Sequence, residues 1–108
     1  MSKKIQKESI EKVVTENPGK EKYILRLFVT GILPNSVRAV KNINSICEQY
    51  LKGRYDLEII DIYQQPSLAL DEELIAVPVL IKKFPLPEGR MIGDLSNVEK
   101  VLKELDLV

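Results

Sequence analysis

Histidine and tryptophan are absent from these 108 residues, and cysteine occurs once. Without histidine there is no Ser-His-Asp or Cys-His relay, and the commonest metal ligand is missing. The single thiol, Cys47, closes no intrachain disulfide and builds no four-cysteine zinc site. Net charge is missing as well: 16 Lys and Arg balance 16 Asp and Glu. The chain as a whole therefore presents no electrostatic footprint for nucleic acid or an anionic membrane. No apolar run approaches the roughly 20 residues that a bilayer span needs. The Lys/Glu-rich start lacks the apolar core of a signal peptide, so a cytoplasmic protein is expected. Glycine is sparse, and Gly31, Gly89 and Gly93 stand isolated, with no phosphate-cradling loop among them.

What is there suits one packed domain. Hydrophobic residues make up 44% of the chain, enough for a single modest core at this length. Residues 1–21 read as an extension, with Ile5, Ile10, Val13 and Val14 set among Lys, Glu and Gln. Their spacing suits either a short amphipathic helix over Lys3 to Glu16, broken by Pro18-Gly19, or a frayed solvated arm. Residues 22–108 form the domain proper.

Tyr23 to Val29 is rich in β-formers and almost continuously apolar, the pattern of a strand buried on both faces. Pro34, Asn35 and Ser36 supply a helix start. Val37, Val40, Ile43, Ile46, Cys47, Tyr50 and Leu51 recur at helical spacing as one buried stripe. Lys52-Gly53 closes that helix, with a basic side chain at the negative end of the dipole. Leu57 to Tyr63 is a second strand, again close to continuously apolar, completing a right-handed βαβ unit with parallel strands. Pro66 and Ser67 open a short helix through Leu68, Leu70, Leu74 and Ile75. Pro78 to Lys82 reads as a third strand, Phe84 to Gly89 as a turn, and Arg90 to Ile92 as an antiparallel partner. Ser96 with Glu99 makes a capping box for a last helix carrying Val98, Val101, Leu102 and Leu105. The order β-α-β-α-β-β-α is that of an α/β, thioredoxin-like fold: a central mixed sheet with helices on both faces.

A redox protein of that fold needs two thiols where the first strand meets its helix, one a nucleophile of depressed pKa and one to resolve the mixed disulfide. Thr30 to Ser36 holds no sulfur. Cys47 lies on the apolar stripe and reads as a small core hydrophobe; a thiol enzyme working through Cys47 alone is the rival reading, and burial of the thiol discriminates. Val77-Pro78 stands where thioredoxin-like folds place a cis-proline, and a cis bond is expected there. Two acidic clusters, Asp56-Glu58-Asp61 and Asp71-Glu72-Glu73, are carboxylates of the kind that bind a metal or trade protons. With no histidine beside them they read as solvated faces. Arg38, Lys41, Lys82, Lys83 and Arg90 read as ordinary decoration or one small basic surface.

Five segments fall in a telling order: Pro34-Asn35-Ser36-Val37-Arg38-Ala39, Ile59-Ile60-Asp61-Ile62, Ala76-Val77-Pro78, Arg90-Met91-Ile92-Gly93-Asp94-Leu95-Ser96 and Glu99-Lys100-Val101-Leu102. Together they resemble the circadian clock protein family KaiB over nearly everything from Lys22 to Val108. The resemblance implies a non-enzymatic regulator, without a cofactor, that binds the ATPase ring of a KaiC-type protein and helps time its phosphorylation cycle. In that family the bound form also captures KaiA and displaces the thioredoxin-like domain of the sensor kinase SasA. A SasA-like kinase is thus a further expected partner, whereas KaiA binding is not carried over. The surface implied for docking comprises Asn35, Arg38, Lys41, Arg90, Gly93 and Asp94. A client outside a clock, such as a sensor kinase or stress regulator, is the alternative.

The resemblance also implies a choice of folds. KaiB proteins are metamorphic, and the other state orders the chain as β-α-β-β-α-α-β and assembles as a tetramer. Two folds share one sequence only when they differ by a few kcal/mol. Pro78, Glu104 and Asp106 are the positions expected to bias that choice. Glu104 stands where clock-type members have a glycine, and inside a helix Glu is favoured over Gly by roughly 0.5–1 kcal/mol. Glu99-Lys103 and Lys100-Glu104 are opposite charges at i,i+4. The family's aromatic and acidic tail has no counterpart before Val108. These departures favour the thioredoxin-like state, and a monomer or weak dimer over a tetramer. Three further departures touch the docking face: Glu58 and Glu73 replace the usual lysines, and Gly89 replaces the first member of an arginine pair completed by Arg90.

Overall fold

The computed structural model describes residues 21–108; the helix expected over Lys3 to Glu16 lies outside them. The elements follow the order β1 (Tyr23–Val29), α1 (Pro34–Tyr50), β2 (Tyr55–Asp61), α2 (Pro66–Asp71), β3 (Val79–Phe84), β4 (Gly89–Ile92) and α3 (Val98–Glu104). The four strands form one mixed sheet in the order β2-β1-β3-β4. β1 runs parallel to β2 and antiparallel to β3, and β3 runs antiparallel to β4. This is the thioredoxin-like arrangement, with the carboxyl-terminal part folded as strand, strand, helix.

The sheet's position in the fold explains the strand patterns. β1 is interior and feeds both faces: Tyr23, Leu25, Leu27 and Val29 face α1 and α3, and Phe28 faces the other way. β2 lies at the edge, so its near-continuous apolarity does not translate into burial. Ile60 is buried, Leu57 half-buried, and Ile59 exposed. On the first face, Ala39, Ile43, Ile46, Cys47 and Leu51 of the first helix and its cap meet Leu80, Met91, Val101, Leu102 and Leu105. On the second, Phe28, Ile60, Val79 and Ile81 are covered by Ile62, Leu68, Leu74 and Val77.

Several local expectations shift. The stripe of α1 is rotated: Ser36 and Ala39 are buried, whereas Val37 and Tyr50 are exposed. The small side chains at 36 and 39 let the helix lie close to the sheet, which turns its larger flanking residues outward. Leu33 is the N-cap without a side-chain bond, and Pro34 occupies the first turn, where its missing N–H costs nothing. α1 ends at Tyr50, Gly53 takes φ +81°, and Lys52 stands beyond the last turn. α2 stops at Asp71, short of the Leu74 and Ile75 expected in it; within it only Leu68 joins the core and Leu70 is exposed, and beyond it Leu74 packs on the core while Ile75 is exposed. α3 is capped by Asn97, whose side-chain oxygen accepts from Lys100 N at 3.1 Å, and not by Ser96. Ser96 instead donates its N–H to Asp94 Oδ1 at 3.1 Å. Val98 is exposed, and the buried stripe is Val101, Leu102 and Leu105.

The end of α3 follows a recognisable stop. Asp106 adopts φ +60°, Asp106 N bonds Lys103 O at 3.1 Å, and Leu107 N reaches back to Leu102 O at 2.8 Å. That pair is the Schellman motif, with Leu107 packed on the core beside Leu102. Glu104 is the last helical residue, so the interior-helix preference invoked for it acts only weakly. The ion pairs of the described residues do not include Glu99–Lys103 or Lys100–Glu104. The ties at this end are other ones. The buried Tyr23 hydroxyl donates to Leu105 O at 2.6 Å, and Lys82, 3% exposed, places Nζ 3.6 Å from Asp106 Oδ2. The Val77–Pro78 bond is cis, as expected, and Phe84–Pro85 and Leu86–Pro87 are cis as well.

Candidate functional site

At the carboxyl end of β1 the chain turns through Thr30 to Leu33 into α1, and two side chains hold the turn. The buried Ser36 hydroxyl accepts from Thr30 N at 3.0 Å, and Asp61 Oδ2, at the end of the neighbouring strand, accepts from Gly31 N at 3.2 Å. Asp61 Oδ1 also accepts from Tyr63 N at 2.9 Å, so one carboxylate joins both loops. Gly31 takes φ +49°, a conformation that costs glycine nothing. The outcome is a fixed loop whose tip, Ile32 and Leu33, is 88% and 57% exposed. No thiol occupies it. Cys47 is wholly buried, and burial first, then the neighbouring Glu48, pushes its thiol up to about 12. It is neither ionised at neutral pH nor reachable, which ends the reading of a thiol enzyme at Cys47.

The exposed side of α1 starts beside this loop and carries Asn35, Arg38, Lys41 and Asn42. Arg38 binds two residues: Nη2 donates to Asn35 Oδ1, and Nε donates to Asp94 Oδ2 at 3.0 Å. Asn42 Nδ2 donates to Asp94 O at 2.8 Å. The turn from β4 to α3 is thereby pinned to α1 across 52 and 56 residues of sequence. Gly93 shapes that turn with φ +122°, a region essentially closed to other residues, and its N–H bonds Pro78 O at 2.9 Å. Hydrogen bonds from Ser96, then from Arg38, hold the Asp94 carboxyl below the usual carboxylate range.

Four of the six expected docking residues therefore meet: Asn35, Arg38, Gly93 and Asp94. Lys41 lies one turn farther along the same exposed helix face. Arg90 does not join them. In the β3–β4 register it sits opposite Ile81, on the other face of the sheet, and donates to Glu72 Oε1 at 2.9 Å. Lys83 Nζ reaches Glu72 Oε2, also at 2.9 Å. The single basic surface considered from sequence is split accordingly: Lys82 is buried, Lys83 and Arg90 are held by Glu72, and Arg38 and Lys41 belong to α1. Glu58 is paired with Arg26 at 3.4 Å. Among the described residues no group of three or more His, Cys, Asp or Glu is placed to hold a metal ion, and no helix is long and apolar enough to cross a membrane.

The KaiB domain family model matches residues 26–107. The chain belongs to the KaiB family. It is 50% identical over 91 residues to the circadian clock oscillator protein KaiB of Thermosynechococcus vestitus, covering 84% of each chain. Among solved structures it is similar to the N-terminal domain of Synechococcus elongatus SasA, with a TM-score of 0.57, 28% identity, and coverage of 81% of this chain and 86% of that one. It is also similar to mitochondrial thioredoxin 3 of Saccharomyces cerevisiae, with a TM-score of 0.62, 16% identity, and coverage of 91% and 88%. That last likeness concerns the fold alone. This KaiB-family chain keeps the scaffold of a thioredoxin and carries a polar cluster beside the loop where the dithiol would stand.

Sequence reasoning missed three residues that build the site, and a fourth, Glu72, that holds Arg90 on the other face of the sheet. Asn42 carried a signal, since it lies seven residues after Asn35 on the same helix face. Asp61, closing a strand just before a turn, carried a weaker one. Ser36 and Glu72 carried none, because their partners come from elsewhere in the chain or from a buried position that polar residues seldom occupy.

Proposed function

We propose that this protein is a non-enzymatic regulatory adaptor of the circadian type that docks on a KaiC-type ATPase ring and modulates its phosphorylation cycle. The observation that carries the reading is the Asn35–Arg38–Asp94 cluster. It sets a guanidinium, an amide and a carboxylate in one fixed surface beside the exposed Ile32-Leu33 tip. An aliphatic anchor rimmed by oriented polar groups is the arrangement of a recognition surface. The curated clock relatives support the nature of the partner. In this reading Asn35, Arg38, Lys41, Gly93 and Asp94 form the docking face, and Arg90 acts from the far side by fixing β4 against Glu72. Residues 22–108 are the working module, cytoplasmic and monomeric or weakly dimeric. Pro78, Glu104 and Asp106 bias it toward the thioredoxin-like state, Asp106 through the helix stop and Lys82.

The likeness to the SasA domain supports competition with a SasA-like sensor kinase for one surface on the ring. A non-clock client would use the same face. The test is binding of the full chain to a purified KaiC-type ring by biolayer interferometry, with Arg38→Glu and Lys41→Glu as variants. Charge reversal at a complementary interface costs several kcal/mol, so each variant should weaken binding by about tenfold or more. Arg38→Glu and Lys41→Glu binding as tightly as the parent chain, or a parent chain that does not bind, would overturn the assignment.

A further inference from the structure

Thr30 to Val37 and Ile62 to Leu70 carry no charged residue, in a chain of which 30% is charged. Uncharged runs are ordinary in buried strands, but here most of the residues are exposed. Loss of charge from a surface marks the core of an interface. The fold brings the two runs together. One leaves the carboxyl end of β1 and the other that of β2, and these strands pair side by side as far as Val29 and Asp61. Both turns then hang on the Asp61 carboxylate, Gly31 N on Oδ2 and Tyr63 N on Oδ1. Two amides that share one carboxylate are neighbours. The loops that carry them bear Ile32 and Leu33 on one side and Tyr63, 77% exposed, on the other.

Asp61 differs from its companions in the acidic cluster. Asp56 is exposed, and Glu58 pairs with Arg26. Asp61 gives both oxygens to backbone N–H groups, and its own carbonyl accepts from Gln64 N at 3.0 Å and Gln65 N at 2.9 Å. These bonds add nothing to the core. Ile32, Leu33 and Tyr63 are exposed, so fixing them costs conformational entropy and buries no apolar surface of the domain. The gain comes when a partner covers them: a tyrosine and two aliphatic side chains, ordered in advance, are anchors that lose little further entropy on contact. The first uncharged run ends at Arg38, where the polar cluster begins, so one partner surface spans both.

We propose that Asp61 is a positioning residue for docking: it sets Ile32, Leu33 and Tyr63 in one uncharged edge, and that edge meets an apolar, uncharged patch of the ring next to the polar contacts of Arg38. The proposal rests on the ring-docking reading and adds to it the chemistry of the partner surface.

The test joins binding of the full chain to a purified KaiC-type ring, by biolayer interferometry, with NMR relaxation of the amides in the free chain. Asp61→Ala removes two charge-assisted hydrogen bonds and should weaken binding about tenfold. Asp61→Asn keeps one acceptor oxygen and should lose less. In a chain already carrying Ile32→Ala and Tyr63→Ala, Asp61→Ala should cost no more than about threefold, because little is left for it to position. In the free chain Asp61→Ala should lower the amide order parameters of Ile32, Leu33 and Tyr63 from about 0.85 toward about 0.6, while those of β1 and α1 stay as they are. Equal factors in the two backgrounds would make Asp61 a general stabiliser and overturn the proposal. So would Asp61→Ala binding as tightly as the parent chain, or order parameters that do not change. A parent chain that does not bind overturns the docking reading and this role with it, a failure visible before any variant is made.

Discussion

The two halves of this molecule are held by different means. In the first, from β1 to β2, a 17-residue helix lays Ala39, Ile43, Ile46 and Cys47 on Leu25 and Leu27, and this apolar packing is the main tie, beside hydrogen bonds of Ser36 to Thr30 and of Glu48 to Tyr55. In the second, from β3 to α3, the helix has seven residues, of which Val101 and Leu102 are buried. Named polar ties supply the rest: Tyr23 to the Leu105 carbonyl, Lys82 to Asp106, Arg38 and Asn42 to Asp94, and Glu72 to Lys83 and Arg90. A seven-residue helix is too short to persist on its own propensity. The carboxyl-terminal region therefore depends on a few directional contacts, each removable by one substitution. Apolar packing gives the first half a single cooperative core, whereas the second half can loosen piecemeal.

The sharpest way to break that contrast is to attack each half by its own means. Ile43→Ala empties a fully buried site under α1 and should cost about 2–5 kcal/mol, against a typical domain stability of about 5–15 kcal/mol. Urea denaturation followed by circular dichroism should show the whole chain losing stability as one transition. A loss confined to α3 would reverse the assignment of roles. Tyr23→Phe is the complementary probe. It deletes one hydroxyl and leaves the Leu105 carbonyl without its donor, for a cost of about 1–3 kcal/mol. Hydrogen exchange should quicken at Leu105 and Leu107, whose N–H groups close the last turn of α3, while amides of β1 and α1 keep their protection. Equal acceleration in both halves would mean that the two share one core after all.

The same division separates what the sequence made legible from what it hid. Local pattern sufficed for the first half: the apolar run of β1 and the periodicity of α1 predict both elements. Two exposures there escape pattern: Val37 and Tyr50 face solvent while Ser36 and Ala39 are buried, and β2, at the sheet edge, fully buries only Ile60. Period alone does not tell how closely a helix approaches its sheet. In the second half the elements were legible and their fastenings were not. Ser96 and Asn97 are both good caps; Asn97 takes the role, and Ser96 instead gives its N–H to Asp94, a partner that local pattern does not reveal. Arg90 was placed with Arg38 although strand alternation puts it on the opposite face. Only the pairing with Ile81 and the reach of Glu72, 18 residues away, reveals this. The family resemblance names both Arg38 and Asp94 as docking residues but not their pairing, and with 56 residues between the two, spacing gives no hold on it either.

The smallest expected effect concerns pH and sharpens the comparison at its joint, where α1 meets the β4–α3 turn. Asp94 is held below the ordinary carboxylate range by Ser96 first and by Arg38 second. A carboxyl depressed in the folded state contributes stability that is fully present above its unfolded value, near 4, and is lost as pH falls through the lower folded value. Between pH 7 and 5 this group should therefore leave stability unchanged, and its contribution should fade only in stronger acid. A carbon-detected NMR titration of the Asp94 carboxyl reads the midpoint directly. Ser96→Ala, which removes the hydroxyl and keeps the backbone donor, and Arg38→Ala should each raise it, the serine change by more. If the arginine change dominates, the turn is fastened to α1 by charge, and salt should loosen it. If the serine change dominates, the turn is organised by its own hydrogen bonds and offers Arg38 a preformed carboxylate. A midpoint that neither substitution moves would show that the joint is held by the Asn42 contact to the Asp94 carbonyl, with the carboxylate a bystander.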